Sequence, residues 1–183
     1  MGNTRMKSAI LIAGPTASGK SAVAIAVAKK LGGVVINADA MQLYAELDVL
    51  TSRPSRADEA AVPHKLFGWV PAGEAWSAGR WLEAASKEIR SAWGQDSVPV
   101  VAGGTGLYFK VLEEGLSQIS AVPTDIRDHW RQRLQREGPQ TLHGELARTA
   151  PADAARIKDA DGQRIVRALE VLEATGKPLG EHF

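Results

Sequence analysis

The 183-residue chain holds 22 basic and 21 acidic residues, a formal net charge of +1, and no cysteine. This excludes a disulfide framework, a thiolate metal site and nucleic-acid binding driven by global charge, so any such binding must rest on local groups. The length suits one domain, or one domain with a small appendage, burying its core without staples.

Ala9 to Ala13 is a continuous apolar run stopped by Gly14-Pro15, the pattern of a buried parallel strand. It is too short for a signal peptide or a membrane span, so a cytoplasmic protein without membrane contact is expected. Val23, Val27 and Leu31 mark a helix stripe from Lys20 to Leu31, closed by Gly32-Gly33. Val34-Val35-Ile36 reads as a second strand that ends at Asn37-Ala38-Asp39, which completes a βαβ unit. Residues 51–75 show no sustained period and read as a long loop with a short strand at Lys65 to Val70. Ser77 reads as the cap of a helix with Trp81, Leu82, Ala85, Ile89, Ala92 and Trp93 on its apolar face. Val98 to Ala102 is a third buried strand, followed by the turn Gly103-Gly104-Thr105-Gly106 and a helix from Leu107 to about Glu114.

Strand signals vanish after Val122-Pro123. Thr124 reads as the cap of a helix carrying Ile126, Trp130 and Leu134 and ending at Gly138. Pro139 opens a helix with Leu142 and Leu146, and Pro151 opens another through Ile157. Asp161 caps a last helix with Ile165, Leu169 and Leu172 inward, stopped at Gly176-Lys177-Pro178. The division is therefore an α/β part, 1–122, and a helical part, 123–183.

Gly14-Pro15-Thr16-Ala17-Ser18-Gly19-Lys20-Ser21 matches the phosphate-loop pattern, between a predicted strand and a predicted helix. Inward backbone N–H groups and a helix N-terminus bind anions there. Lys20 adds a point charge, and the Ser21 hydroxyl can hold Mg²⁺ against phosphate oxygens. The motif specifies a diphosphate or triphosphate, without naming ATP or a kinase. Asp39 stands at the carboxyl end of the second strand, where ligands bind in such sheets, as a metal ligand, a general base or simply a helix cap. Thr105 lies on the same edge, as a substrate contact or an ordinary turn residue. No aspartate follows the third strand closely, so the usual metal-binding carboxylate of nucleotide hydrolases is not evident. On the helix after Pro123, Arg127 and Arg131 flank one side of the apolar stripe and Arg133 and Arg136 the other, as on a solvated helix. Arg164 and Arg167 are three apart, so they can share a side and grip a phosphate. His64 beside Pro63 reads as a local hydrogen-bonding residue, and the four histidines show no metal-ligand spacing.

The ordered motifs GPTASGKS, NADAMQLY, VPHKL, AGGTGLY and DAARIKDADGQRIVRALEVLEATGKP resemble the tRNA dimethylallyltransferases (tRNA isopentenyltransferases) over nearly the whole chain. The resemblance implies a P-loop NTPase-like parallel sheet flanked by helices, followed by the start of a helical tRNA-binding insertion. It implies transfer of a dimethylallyl group from dimethylallyl diphosphate to N6 of the adenosine 3′ of the anticodon, with release of pyrophosphate. Asp39 matches the family's general base. Thr16, Lys20 and Ser21 match its diphosphate contacts, with Mg²⁺. Thr105 matches a contact to the substrate adenosine. Asp39, Ala40, Met41, Gln42, Arg127 and the run Gln163, Arg164, Ile165, Val166, Arg167 match its contacts to the tRNA anticodon stem-loop. A monomer is expected. Ala40 stands where the family often has serine, and Lys158-Asp159-Ala160 where it has His-Pro-Asn. The family continues past the position of Phe183 and there supplies a further arginine to the pyrophosphate, so the chain is expected to be an N-terminal piece. The alternatives are a small-molecule kinase using the same loop for ATP, and an inactive tRNA-binding fragment.

Overall fold

Three short apolar segments, β1 (Ile10–Ala13), β2 (Gly33–Asn37) and β4 (Val98–Gly103), pair in parallel together with the two-residue polar strand β3 (His64–Lys65), in the order β1-β4-β2-β3. The computed structural model describes residues 7–47, 51, 53–116, 119 and 121–182. The chain divides into two compact units, Met1–Leu116 and Ser117–Phe183.

In the first unit, strand side chains alternate between two cores, as the period of two requires. Val35, Val100, Ala102, Ile10 and Ile12 meet Ala24 and Ala28 of helix α1 (Lys20–Leu31). Ile36, Val101 and Leu11 meet Trp81, Ala85 and Ile89 of α3 (Ala78–Gly94) and Tyr108, Phe109 and Val111 of α4 (Gly106–Glu114). Ser77 caps α3 by accepting from the Arg80 N–H, as expected. Register brings Ala13 opposite Gly103 and Asn37 opposite Ala102, so the carboxyl ends of β1, β2 and β4 lie side by side.

Four sequence expectations for this unit are corrected. The stripe of α1 that packs on the sheet is Ala24 and Ala28, while Val23 and Leu31 are exposed. The reason is close approach. A Cβ at Gly33 would sit 3.3 Å from Ala28 Cα and 2.5 Å from Val98 O, so only small residues fit between helix and sheet. The apolar β1 lies at the sheet edge with Ile10, Leu11 and Ile12 half-buried and Ala13 exposed, because among the described residues its one sheet partner is β4. The long loop contains a further helix, α2 (Arg56–Ala61), held by a capping box in which Ser55 and Asp58 exchange bonds. The Ser55 hydroxyl and N–H hold the Asp58 carboxyl below its usual range. The expected strand at Lys65 to Val70 shortens to β3 and a bridge between Tyr44 and Val70.

The second unit is helical: α5 (Thr124–Glu137), α6 (Pro139–Thr149), α7 (Pro151–Ala154) and α8 (Gly162–Thr175), then a 3-10 turn, Leu179–His182. Its core joins Trp130, Leu142, Leu146, Ile165 and Leu169. Pro123, rather than Thr124, holds the cap position of α5, and no side chain caps it. The helix opened by Pro151 stops at Ala154, short of Ile157. Asp161 caps α8 as expected, accepting from the Arg164 N–H.

Candidate active site

The phosphate loop leaves β1 at Gly14 and enters α1 at Lys20. Its turn needs positive φ at Gly19 (82°) and Ala17 (62°), a conformation that costs alanine more than glycine. The Gly14 N–H lies 3.4 Å from Gly103 O, which ties the loop to the end of β4. Lys20 Nζ donates across the loop to Pro15 O at 3.1 Å. No side chain caps α1, so its first-turn N–H groups stay available to an anion. Thr16, Ser18 and Ser21 are exposed around them.

Asp39 is placed by its neighbours rather than by a helix. Asn37 is fully buried at the end of β2. Its Oδ1 accepts from the Asp39 N–H at 2.8 Å, and its Nδ2 donates to Asp39 O at 2.9 Å and to Leu66 O at 3.0 Å. The Asn37 carbonyl in turn accepts from Trp81 Nε1 at 2.9 Å, and the Trp81 ring stacks on Tyr108 at 4.2 Å. Burial, with Tyr44 and Asp39 nearby, pushes the Tyr108 hydroxyl up to about 12. Asp39 Oδ1 accepts from the Met41 N–H at 3.0 Å, an Asx turn that opens the 3-10 turn Met41–Leu43. Thr105 closes the arrangement: its N–H donates to Ala38 O at 3.1 Å and its Oγ1 accepts from the Ala40 N–H at 2.9 Å.

Two glycines of the second turn set the spacing. A Cβ at Gly103 would lie 2.1 Å from both Ala38 C and Ala38 O. A Cβ at Gly104 would lie 3.2 Å from Asp39 Oδ2, 3.5 Å from Gly14 O and 3.9 Å from Lys20 Nζ. Gly104 is thus the point where the phosphate loop, its lysine and the candidate base converge. This unit brings together Gly14, Lys20, Asp39, Ala40 and Thr105, while the Gln42 amide donates to Thr51 O at 2.7 Å. The sequence reading missed Asn37, Trp81 and Tyr108; the one local signal was an asparagine two residues before an aspartate at a strand end.

Among the described residues, no group of three or more His, Asp or Glu could hold a metal by itself. Ser21 supplies one hydroxyl donor, which fits Mg²⁺ only as a partner of phosphate oxygens and water, the usual surroundings of that ion. His64 Nδ1 donates to Val62 O at 2.9 Å and the ring meets Phe67 edge-on, the local role expected of it.

The remaining candidates lie in the second unit. Arg127 is half-buried on α5. Arg133 is a structural residue: it reaches Glu137 and Glu145 at 2.7 Å each, lies over the Trp130 ring, and its hydrogen bond holds the Glu137 carboxyl below its usual range. On α8, Gln163, Arg164 and Arg167 offer accessible side chains. Ile165 and Val166 do not: they are buried in the helical core, so their side chains are removed from the candidate RNA contacts.

A parallel sheet whose first strand runs through a glycine-rich loop into a helix, with a second glycine-rich turn beside it, defines a P-loop-like α/β protein. Comparison with known proteins narrows the class. Residues 42–183 match the IPP transferase family model and residues 7–62 the isopentenyl transferase model. The chain belongs to the IPP transferase family. It is 51% identical over 174 residues to a tRNA dimethylallyltransferase of Rhizobium meliloti, covering 95% of this chain and 57% of that protein. It is 55% identical over 171 residues to the same-named protein of Agrobacterium fabrum, covering 93% and 57%. Its fold is similar to a eukaryotic dimethylallyltransferase acting on tRNA, with TM-score 0.81 and 27% identity over 94% of this chain and 43% of that one. It is also similar to the tRNA isopentenylpyrophosphate transferase of Bacillus halodurans, with TM-score 0.59 and 32% identity over 94% and 57%. The chain thus spans little more than half the length of the relatives it matches. Among the described residues, no helix is long and apolar enough to cross a membrane.

Proposed function

We propose that this chain carries the diphosphate-binding and base-bearing part of a tRNA dimethylallyltransferase that acts as a cytoplasmic monomer. The reading rests on one observation above all, the convergence of Lys20, Gly14 and the Asp39 carboxylate on Gly104. A cation-lined cradle beside a carboxylate suits a reaction in which an anion leaves while a proton is removed.

In that reaction the allylic C–O bond of dimethylallyl diphosphate breaks and the electron pair leaves with pyrophosphate. The loop N–H groups and Lys20 stabilise the developing negative charge, an effect strongest when the donors are already in place. Ser21 would hold Mg²⁺, which supplies charge neutralisation on the diphosphate when bound. The N6 nitrogen of the substrate adenosine forms the new C–N bond, and Asp39 takes the N6 proton. General-base action of this kind contributes roughly 10²–10⁴-fold. Asn37 and Thr105 act as positioning residues: one fixes the Asp39 backbone, the other the Ala40 backbone beside it. The target base has to leave its stack to reach such a site. Arg127, Gln163, Arg164 and Arg167 would bind the stem-loop through its backbone and shape.

The test incubates the protein with labelled dimethylallyl diphosphate, unmodified tRNA and Mg²⁺. Label in the tRNA supports the reading; its absence, with phosphoryl transfer from ATP instead, replaces it with a kinase. Asp39→Ala should lower transfer about 10²–10⁴-fold and leave RNA binding largely intact; undiminished transfer rejects Asp39 as the base. Because the chain covers 57% of its relatives, a second reading is stem-loop binding without turnover. Stem-loop binding with no label in the tRNA selects it.

A further inference from the structure

The helical unit holds a cavity of about 210 Å³ lined by Asp153, Arg156, Ile157, Arg164, Arg167 and Leu179. Three arginines on one small cavity are unusual enough to ask what arranges them. Each is paired with an acid three residues away along the chain: Arg156 with Asp153, Arg164 with Asp161 at 3.4 Å, and Arg167 with Glu170 at 3.5 Å. The pairs are asymmetric. The arginine side chains are 63%, 75% and 42% exposed, whereas Asp153 is 2% and Glu170 is 7% exposed. The charges cancel in number, but the cations face solvent and two of the three anions lie beneath them.

Asp153 is the most constrained member. Its Oδ1 accepts from both Arg156 and the Gly180 N–H, and its Oδ2 is buried with no partner. A buried carboxylate is costly unless a cation compensates it, so Arg156 is held in place by the need to neutralise Asp153. The Leu179–His182 turn packs down on the pair so closely that a Cβ at Gly180 would lie 2.8 Å from Asp153 Oδ1 and 1.9 Å from an Arg156 nitrogen. A guanidinium has five N–H donors in a fixed fork, more than one carboxylate oxygen can use. The spare donors of a fixed arginine suit a phosphate.

We propose that Arg156, positioned by buried Asp153, completes a three-arginine grip with Arg164 and Arg167 on the phosphodiester backbone of RNA; this rests on the tRNA reading above. The apolar walls, Ile157 and Leu179, suit the sugar beside such a phosphate.

The experiment measures binding of the full chain to an unmodified anticodon stem-loop RNA across a salt series. For Arg156→Gln the affinity should fall roughly three- to tenfold, and the slope of log K against log salt should shrink by about 0.7–0.9. The double variant Asp153→Asn/Arg156→Gln should lose as much while removing the buried charge, which guards against a folding defect. Asp153→Asn alone separates positioning from net charge. It raises the net charge by one, so a merely electrostatic surface would bind more tightly, whereas a loosened Arg156 binds more weakly. Wild-type affinity in Arg156→Gln, with Arg164→Gln impaired, overturns the proposal and leaves the tRNA reading standing. No stem-loop binding by the wild-type chain overturns both.

Discussion

The two units solve the placing of functional groups in different ways. In the α/β unit, position is set by backbone: Gly103 and Gly104 let the chain approach to contact distance, and Asn37 clamps the peptide units of Asp39 from a fully buried site. In the helical unit, position is set by side-chain ion pairs at the surface of a packed bundle. Chemistry that needs reacting atoms held to a fraction of an ångström goes with the first arrangement. The proposed grip on a flexible RNA backbone would tolerate the second.

The contrast can be broken by substitution. The largest effect is expected for Gly103→Ala, whose Cβ would overlap Ala38 C and O at 2.1 Å. Backbone must move, so a loss of several kcal/mol is expected, at the exceptional end for one substitution. Transfer activity should go with it, and urea unfolding followed by hydrogen exchange in β2 and β4 reports it. Leu142→Ala removes a fully buried side chain from the helical core and should cost about 2–5 kcal/mol there. Hydrogen exchange should show the loss in α5, α6 and α8 and unchanged protection in β2 and β4; equal loss in both units would mean they unfold as one. Asn37→Ala strips partners from the Asp39 N–H and from two carbonyls, about 1–3 kcal/mol for each buried group left unpaired. Its kcat should fall more than its KM rises if Asp39 is the base, because Asp39 is displaced while the phosphate loop is untouched; a pure KM effect would remove Asn37 from the positioning role.

The smallest effect is absent at neutral pH. Below pH 10 the Tyr108 hydroxyl is neutral in both folded and unfolded chain. Between pH 10 and about 12 the unfolded chain releases that proton and the folded chain keeps it, so stability falls as pH rises. The loss reaches roughly 2–3 kcal/mol. Tyr108→Phe should flatten this limb of the stability-against-pH curve; an unchanged limb assigns it to other groups.

Much of this was legible beforehand. Period and punctuation locate β1, α1, β2, α3, β4, α4 and the helices from α5 to α8, because strong local patterns survive packing. The errors have particular causes. α2 leaves no trace in the pattern because six residues with no buried side chain carry no periodic signal, only the Ser55 and Asp58 cap. The buried face of α1 differs from its Val23–Val27–Leu31 stripe because close approach to the sheet favours alanine over the larger Val23 and Leu31. Ile165 and Val166 sit in the same motif as Arg164 and Arg167, and only packing shows that two of the four face inward.

The sequence alone determined the phosphate loop, its lysine and the ordered motifs that mark the family, since these depend on residue types at fixed short spacings. Only the tertiary structure decided that Gly104 is where loop, lysine and Asp39 meet, that Asn37 fixes the Asp39 backbone, and that Asp153 lies buried under Arg156. Those relations join residues brought together by strand register and helix packing, and separation along the chain carries no record of distance across it.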